Sequence, residues 1–510
     1  MLRRLARSPR THVAYALVAA TLAAGEACAA DPSANELLSE FRRLAERMEK
    51  LEKRNAELEA QLAVTPAGTR EVEQRLKAVE AYQKAINDGL AKEEVSEKES
   101  ELTARLKAIE YTTLDIQKQA KVIDSLQGFS AGASFVSVGQ RATGVDTGGT
   151  LLNYRADITV TTPTIRTGDI ESKLFGHFRA GQGRGIAEKF TSFVGPNATA
   201  FQLGSVVPPD ASAVLLAQAW YQADIPLPVG GFKPHSREKL TVNFGKMDPF
   251  AFFDQNAAGN DETRQFLANM FVHNALLDNP LAANIGADGF GFSPGVRVSY
   301  LNERMKPERY RVSFGMFASG ESANFTAPLK APFLIGQIET EQRLFGLTGN
   351  YRAMLWRNGQ APTFVRGETR EHTGFGLNFD QRLHDAVTVF GRAGGAWGEG
   401  LPFDRTASVG MQLSGSYWNR GGDAVGIAFN GNRTSADFRR RSAVIDANGD
   451  GTPDFGFGAR GWEKAAEVYY RMHVHKQFEI SPDIQYIRNP AGNPDKRSVA
   501  VFGLRALLNY

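Results

Sequence analysis

The stretch Val499-Ala500-Val501-Phe502-Gly503-Leu504-Arg505-Ala506-Leu507-Leu508-Asn509-Tyr510 decides the fold. Read in steps of two, Phe502, Leu504, Ala506, Leu508 and Tyr510 fall on one side, and Arg505 and Asn509 fall on the other. That is the period of a strand. An unbroken apolar face backed by a mixed, partly charged one suits a wall with lipid on one side and water on the other. The same alternation recurs upstream to about Phe129, in segments separated by turn-rich stretches. The spacing predicts strands over 129–140, 152–165, 170–181, 211–222, 238–247, 291–301, 308–318 and 332–343. It predicts eight more over 346–357, 372–382, 386–396, 407–418, 423–435, 462–474, 478–487 and 497–510. The fold class is an all-β transmembrane barrel of about sixteen antiparallel strands, preceded by an α-helical coiled coil.

Composition supports a barrel and excludes other classes. The chain has 510 residues, 51 Gly and one cysteine, Cys28. After the N-terminus no apolar run approaches the ~18 residues that a spanning helix needs. A helical membrane protein is therefore excluded. A barrel hides from hydropathy averages, because its strands alternate. The formal net charge of +3 is small for this length and gives no argument for nucleic acid. A soluble sandwich has no need for so many strands or for a terminal apolar strand ending in an aromatic residue. That ending is similar to the signal read by the outer-membrane barrel assembly machinery, which is thereby expected as a partner during biogenesis.

Residues 1–30 read as a signal peptide. Arg3, Arg4, Arg7 and Arg10 form a basic region, Val13 to Ala24 an apolar one, and Ala27-Cys28-Ala29 and Cys28-Ala29-Ala30 small-residue cleavage sites. Gly25-Glu26-Ala27 fits a lipoprotein signal poorly, and the residues after Arg3-Arg4 fit a twin-arginine signal poorly. Cleavage after Ala29 or Ala30 leaves no thiol to mispair in an oxidising compartment.

Residues 31–128 are expected to form a periplasmic coiled coil. Leu37, Leu44, Leu51 and Leu58 lie seven apart, interleaved with Phe41, Met48, Asn55 and Leu62. This is the a/d seam of a heptad repeat, too narrow for one helix to bury alone. Pro66 and Gly68 interrupt the seam, which resumes around Leu76 and again from Leu102 to Ile123. The pattern Arg, apolar, two spacers, apolar, Glu occurs at 47–52, 75–80 and 105–110. It resembles the trimerisation motif of short parallel coiled coils, so a homotrimer is expected.

Loop lengths orient the barrel over 129–510. The connections 166–169, 382–386, 419–423 and 475–477 are short and follow even strands, as periplasmic turns do. The segment 223–237 is the exception. The long connections 182–210, 248–290 and 436–461 follow odd strands and face outward. Segment 248–290 lies between the fifth and sixth strands. Its length and its content of Phe, Leu, Asn and Asp call for a packing surface, which the barrel interior offers.

Several patches resemble the carbohydrate-selective porins. They are Trp220-Tyr221, Phe244-Gly245-Lys246-Met247-Asp248, Phe252-Phe253-Asp254-Gln255-Asn256 and Thr263-Arg264-Gln265-Phe266-Leu267, followed by Ser481 to Asn493 and Phe502-Gly503-Leu504-Arg505. The resemblance spans about 129–510 and omits the coiled coil. It implies a trimeric outer-membrane channel for facilitated diffusion of monosaccharides. Some members carry a periplasmic coiled coil behind a cell-wall-binding domain. No such domain is found here, so contact with the wall stays open. Outer-membrane lipid and sugar solutes are the other expected partners.

Sugars present hydroxyls and apolar ring faces, which carboxylates, amides, guanidinium groups and aromatic platforms match. Asp254, Asn256, Asp261, Glu262, Arg264 and Gln265, set among Phe252, Phe253 and Phe266, are the candidate constriction and binding residues. Each could instead fix the loop. An anion or phosphate pore would need rings of Lys or Arg. From Lys246 to Phe290 six carboxylates oppose Lys246 and Arg264, which argues against anions unless wall residues such as Arg392 or Arg505 reverse the balance. General diffusion is a further alternative. So is a structural tether, in which the barrel serves mainly as an anchor.

No catalytic reading survives. His473 and His475 share a strand face with no nucleophile nearby, and no phosphate loop or zinc spacing is present. No cofactor is required. Asp446, Asn448, Asp450, Thr452 and Asp454, with Gly451, follow the first nine positions of a calcium loop, but Phe457 stands where the bidentate Glu belongs. Calcium and a simple Asx-rich turn both remain open.

Overall fold

A computed structural model of the chain describes residues 128–145, 149–200, 211–229, 236–278, 292–305, 308–320 and 324–510. The signal peptide and the coiled coil expected before residue 128 lie outside the described residues.

The described residues form one antiparallel sheet closed on itself. Its first half comprises β1 (Ser130–Thr143), β2 (Gly149–Thr161), β3 (Ile165–Thr167), β4 (Ile170–Gln182), β5 (Ala213–Leu227), β6 (Glu238–Met247), β7 (Ser293–Asn302), β8 (Arg309–Phe317) and β9 (Phe333–Leu344). The second half comprises β10 (Leu347–Pro362), β11 (Thr369–His384), β12 (Val387–Trp397), β13 (Phe403–Ser414), β14 (Ala424–Thr434), β15 (Trp462–His475), β16 (Phe478–Arg488) and β17 (Val499–Asn509). Consecutive strands pair, and β17 closes the ring on β1 from Ser134↔Asn509 to Thr143↔Ala500. The three-residue β3 continues β2 beyond Pro163, which has no N–H to give the ladder. Counted so, the barrel has sixteen strands, and each overlaps one of the sixteen expected segments.

Several expected boundaries moved by three to five residues, two of them for a plain local reason. The segment expected as a strand over 407–418 begins earlier and ends at Ser414. There the Ser414 hydroxyl accepts from the Ser416 N–H, opening a 3₁₀ turn over Gly415–Trp418 that ends on Asn419 at φ 61°. The anomalous connection 223–237 shrinks, because β5 keeps pairing with β6 as far as Leu227↔Glu238.

The alternation read from the sequence is the alternation of the wall. On β17, Phe502, Leu504 and Leu508 are 49%, 55% and 50% exposed, whereas Val501 and Arg505 are 0% and 1% exposed. Ile338, Leu355, Leu377, Val409, Phe429 and Ile484 continue the apolar outer belt. The opposite face carries Gln140, Asn153, Arg297, Gln337, Asn378, Arg392, Glu467 and Gln485. Tyr310 and Tyr417 are exposed at the end of the wall that carries the short turns, and Trp397 and Trp462 at the opposite end, as aromatic girdles are in membrane barrels. Among the described residues no helix is long and apolar enough to cross a membrane. The strands do the crossing.

The main buried cluster is built where the long connections meet the polar face of the wall. Phe193 packs on Phe403 and Phe438, and Phe438 packs on Phe364 and Phe455. Phe266 packs on Phe271, Phe390 and Tyr469.

Candidate functional site

The chain leaves β6 at Asp248, whose carboxylate caps a 3₁₀ turn over Pro249–Ala251 by accepting from the Phe250 N–H at 2.9 Å. Asp254 then adopts φ 55°, a conformation that Asp tolerates better than most residues. This turns its carboxylate onto the wall. It accepts from Arg392 Nε at 3.0 and 3.2 Å, from Asn378 Nδ2 at 2.6 Å and from the Asn274 N–H at 2.6 Å. Its own N–H donates to Gln337 at 2.9 Å. The Arg392 and Asp254 side chains are 1% and 0% exposed. One residue thus ties the segment to β9, β11 and β12 and to Asn274, just past the short helix α1 (Asn269–Val272).

Further along, the segment is tied to more distant strands. Arg155 on β2 reaches Glu262 at 2.8 Å, and Arg264 pairs with Glu479 on β16 at 3.3 Å. Arg505 on β17 donates to the carbonyls of Glu262 and Gln265 at 2.9 and 2.8 Å. Glu467 on β15 accepts the Leu267 and Ala268 N–H groups. The connection between β4 and β5 joins this packing. Pro196 takes hydrogen bonds from Gln140 and Gln485, Glu463 receives Ser192 and the Phe193 N–H, and the Asn269 N–H donates to Gly195. Sequence reasoning missed this second packed segment, because its ties are to residues far away in the chain.

The six candidate residues are therefore brought together, and most of their groups are committed within the protein. Asp254 is fully engaged. Asn256 bridges Asn378 and the Phe379 carbonyl and accepts from the Ala258 and Gly259 N–H groups. Asp261 accepts from Thr263, and Gln265 from the Asn260 and Asp261 N–H groups. Glu262 and Arg264 hold their ion pairs with the wall. Arg392, weighed above as a basic wall residue, is likewise spent on the loop, and Arg505 gives it Nη1 while its Nε and Nη2 stay buried without a hydrogen-bond partner.

Open space lies on the other side of the segment. A cleft of about 330 Å³ is bounded by Ala251, Phe252 and Gln255 from the segment and by six strands of wall. The wall contributes Gln222 (β5), Lys239 and Thr241 (β6), Arg297, Ser299 and Leu301 (β7), Arg311 (β8), Glu339 (β9) and Arg352 (β10). Glu339 pairs with Arg352 at 3.3 Å and Arg311 at 3.8 Å, Arg352 with Asp380 at 2.8 Å, and Lys239 with Asp224 at 3.5 Å. The acidic count of 248–290 does not describe this lining, whose charged groups are mostly basic. A signal for these residues existed. Arg297 between Val296 and Val298, and Glu339 beside Ile338, are charges at inward positions next to apolar outward ones.

Two groups at the root of the segment carry a pH dependence. Burial pushes the Asp248 carboxyl up from an ordinary 3.8 to about 6, against the attraction of His273. His273 stacks on Phe250 at 4.4 Å and meets Asp278 at 2.6 Å. Burial disfavours its protonation, but the Asp278 hydrogen bond and the charges of Asp278, Asp248 and Asp254 raise its pKa above 6.5. Both folded-state values exceed the unfolded ones. The Asp248 contribution is thus full below 3.8 and lost as pH rises to about 6. That of His273 is full below 6.5 and lost as pH rises through its raised value. The segment is held most firmly in acid. Single-channel recordings are expected to show more open-state noise at alkaline than at acid pH. His273→Gln should flatten the alkaline step, and Asp248→Asn the acidic one. Noise that does not vary with pH would contradict this account.

The remaining motifs lie in a loop and in the wall. Asp446 Oδ1 accepts the Gly449 and Asp450 N–H groups, and Oδ2 accepts that of Gly451. Asn448 and Asp450 oxygens accept the Asp450 and Thr452 N–H groups, and Asp454 accepts that of Ala447. The Asx-turn reading of 446–454 fits these bonds. Among the described residues no group of three or more His, Cys, Asp or Glu side chains is arranged to hold a metal ion. His473 lies 3.4 Å from Glu479 near the short turn into β16.

Comparison with known proteins agrees with the barrel. "Porin AaxA" of Chlamydia pneumoniae is 27% identical over 161 residues, 32% of this chain and 33% of that protein. "Porin AaxA" of Chlamydia trachomatis serovar L2 is 30% identical over 165 residues, 32% of this chain and 31% of that protein. The chain thus spans about a third of the length of these relatives. The high-pH structure of Pseudomonas putida OprB shares the fold, with a TM-score of 0.59 at 17% identity, over 77% of this chain and 96% of that one. The model of the carbohydrate-selective porin, OprB family, matches residues 177–510, most of the barrel. The chain belongs to the OprB family of carbohydrate-selective porins, and its barrel points to the outer membrane.

Proposed function

We propose that the chain mediates passive diffusion of small carbohydrates, monosaccharides above all, and that residues 248–278 lie within the lumen and narrow it. The observation that carries this reading is the cleft between Phe252 and Gln255 on one side and the polar wall of β5 to β10 on the other. Its volume suits one small solute. Its amide, hydroxyl, guanidinium and carboxylate groups match sugar hydroxyls, and Phe252 offers an apolar surface for a ring. The ties of the segment to β2, β9, β11, β12, β15, β16 and β17 support a fixed constriction rather than a swinging lid. The long connections then face outward and both barrel termini the periplasm.

Liposome swelling tests the reading. Vesicles carrying the protein are expected to swell quickly in glucose or arabinose and slowly in a trisaccharide. Cross-linking of the same vesicles should show the proposed homotrimer. An absence of swelling in every sugar would favour the tether alternative. An inorganic-anion pore is the second reading, favoured by the basic side chains of the cleft. It requires chloride to outpace potassium while sugars stay excluded.

A further inference from the structure

Among the charged groups of the cleft, Arg297 stands apart. It is 6% exposed, yet among the described residues no carboxylate lies within ion-pair distance of it. The acids nearest the cleft are committed elsewhere. Glu339 serves Arg352 and Arg311, Asp380 serves Arg352, and Asp224 meets Lys239, Thr241 and Gln222. Four basic side chains line the cleft and three carboxylates answer them, so one positive charge is left over. Arg297 is held firmly in place. Nη1 donates to Asn243 at 3.0 Å, Nη2 donates to Ser313 at 3.2 Å, and the guanidinium lies 5.0 Å from the Phe252 ring centroid and 6.0 Å from that of Phe253. Its Nε, buried, has no hydrogen-bond partner.

Buried charges in proteins are ordinarily paired, and an unpaired one is costly unless something else answers it. A ring face compensates a cation only in part. We propose that the cleft is a binding site for the carboxylate of an acidic sugar, with Arg297 as the pairing group. This deepens the carbohydrate reading and rests on it. The surplus is a single charge, which suits a monocarboxylate. A divalent anion would bring a second charge toward Glu339. Gln222, Gln255, Thr241 and Ser299 around the same space suit a polyhydroxylated body rather than a bare anion. The guanidinium is already oriented and partly desolvated, so little ordering remains to be done when the carboxylate arrives.

The test is block of single-channel current through the full-length protein in planar bilayers by glucose, glucuronate and propionate. Glucuronate is expected to half-block at a concentration about tenfold lower than glucose, the ratio typical of one charge-assisted hydrogen bond. Propionate, with the charge and without the hydroxyls, should block more weakly than glucuronate. In Arg297→Gln the ratio of glucuronate to glucose block should fall toward one, and in Arg297→Lys it should be intermediate. Heat-modified gel mobility verifies that each variant is a folded barrel. Equal block by glucose and glucuronate in the unmodified protein overturns the proposal with no variant needed. So does a preference that survives Arg297→Gln, and so does propionate matching glucuronate. If neither sugar blocks the current nor swells liposomes, the carbohydrate reading itself falls.

Discussion

Replacing Arg392 with alanine is expected to loosen the proposed constriction, raise single-channel conductance and weaken sugar block. Arg392 and Asp254 form the most deeply buried ion pair among the described residues, and Asp254 also holds Asn378, the Asn274 N–H and, through its own N–H, Gln337. Removing the arginine leaves a carboxylate without its cation in a water-poor site, a change that typically costs about 3–5 kcal/mol. The barrel ladder does not depend on this pair, so the loss should fall on the segment 248–278 first. The double variant Asp254→Asn, Arg392→Met removes both charges and should recover part of the stability, because neither is then left bare. Thermal unfolding followed by heat-modified mobility measures stability, and bilayer recordings measure the opening. Arg392→Ala with unchanged conductance and unchanged melting would show that the segment is held by its aromatic packing alone.

Ending the chain after Ser498 is expected to abolish insertion altogether. The lost strand pairs with β16 from Phe478↔Leu508 to Ile487↔Val499 and with β1 from Ser134↔Asn509 to Thr143↔Ala500. Its removal bares two strand edges at once. Each unpaired N–H or C=O facing hydrocarbon costs several kcal/mol, which is why membrane sheets are closed. It also removes Arg505, which anchors the carbonyls of Glu262 and Gln265. The shortened chain should stay out of outer-membrane fractions and be digested by added protease. Recovery of a protease-resistant barrel would mean that β16 can close on β1 without it.

The two variants probe different levels of the structure, and the sequence exposed these levels unequally. The strands were legible because side chains in a strand alternate between faces, so a membrane wall writes its two solvents into neighbouring residues such as Leu504 and Arg505. The short turns were legible for the same local reason. Phe345 and Gly346, both at positive φ, join β9 to β10 in the two-residue hairpin that right-handed twist favours.

The site was less legible. Segment 248–290 stood out by its length and its Phe, Asn and Asp content, and its described part does pack on the polar face of the wall. Which of its groups stay available to a solute could not be read. Asp254 looked like a sugar ligand as long as Arg392 was only another residue 138 positions away. The pairing exists because closing the ring brings β12 opposite the end of β6.

By itself, then, the sequence determined the strand pattern, the lipid face and the long segment after the fifth strand, since all three follow from patterns between near neighbours. The tertiary structure alone decided which charges cancel and which remain. The cleft of Lys239, Arg297, Arg311, Glu339 and Arg352 is assembled from five separate strands. Its one surplus charge is a property of distances across a closed wall, and a linear order of residues carries no such distances.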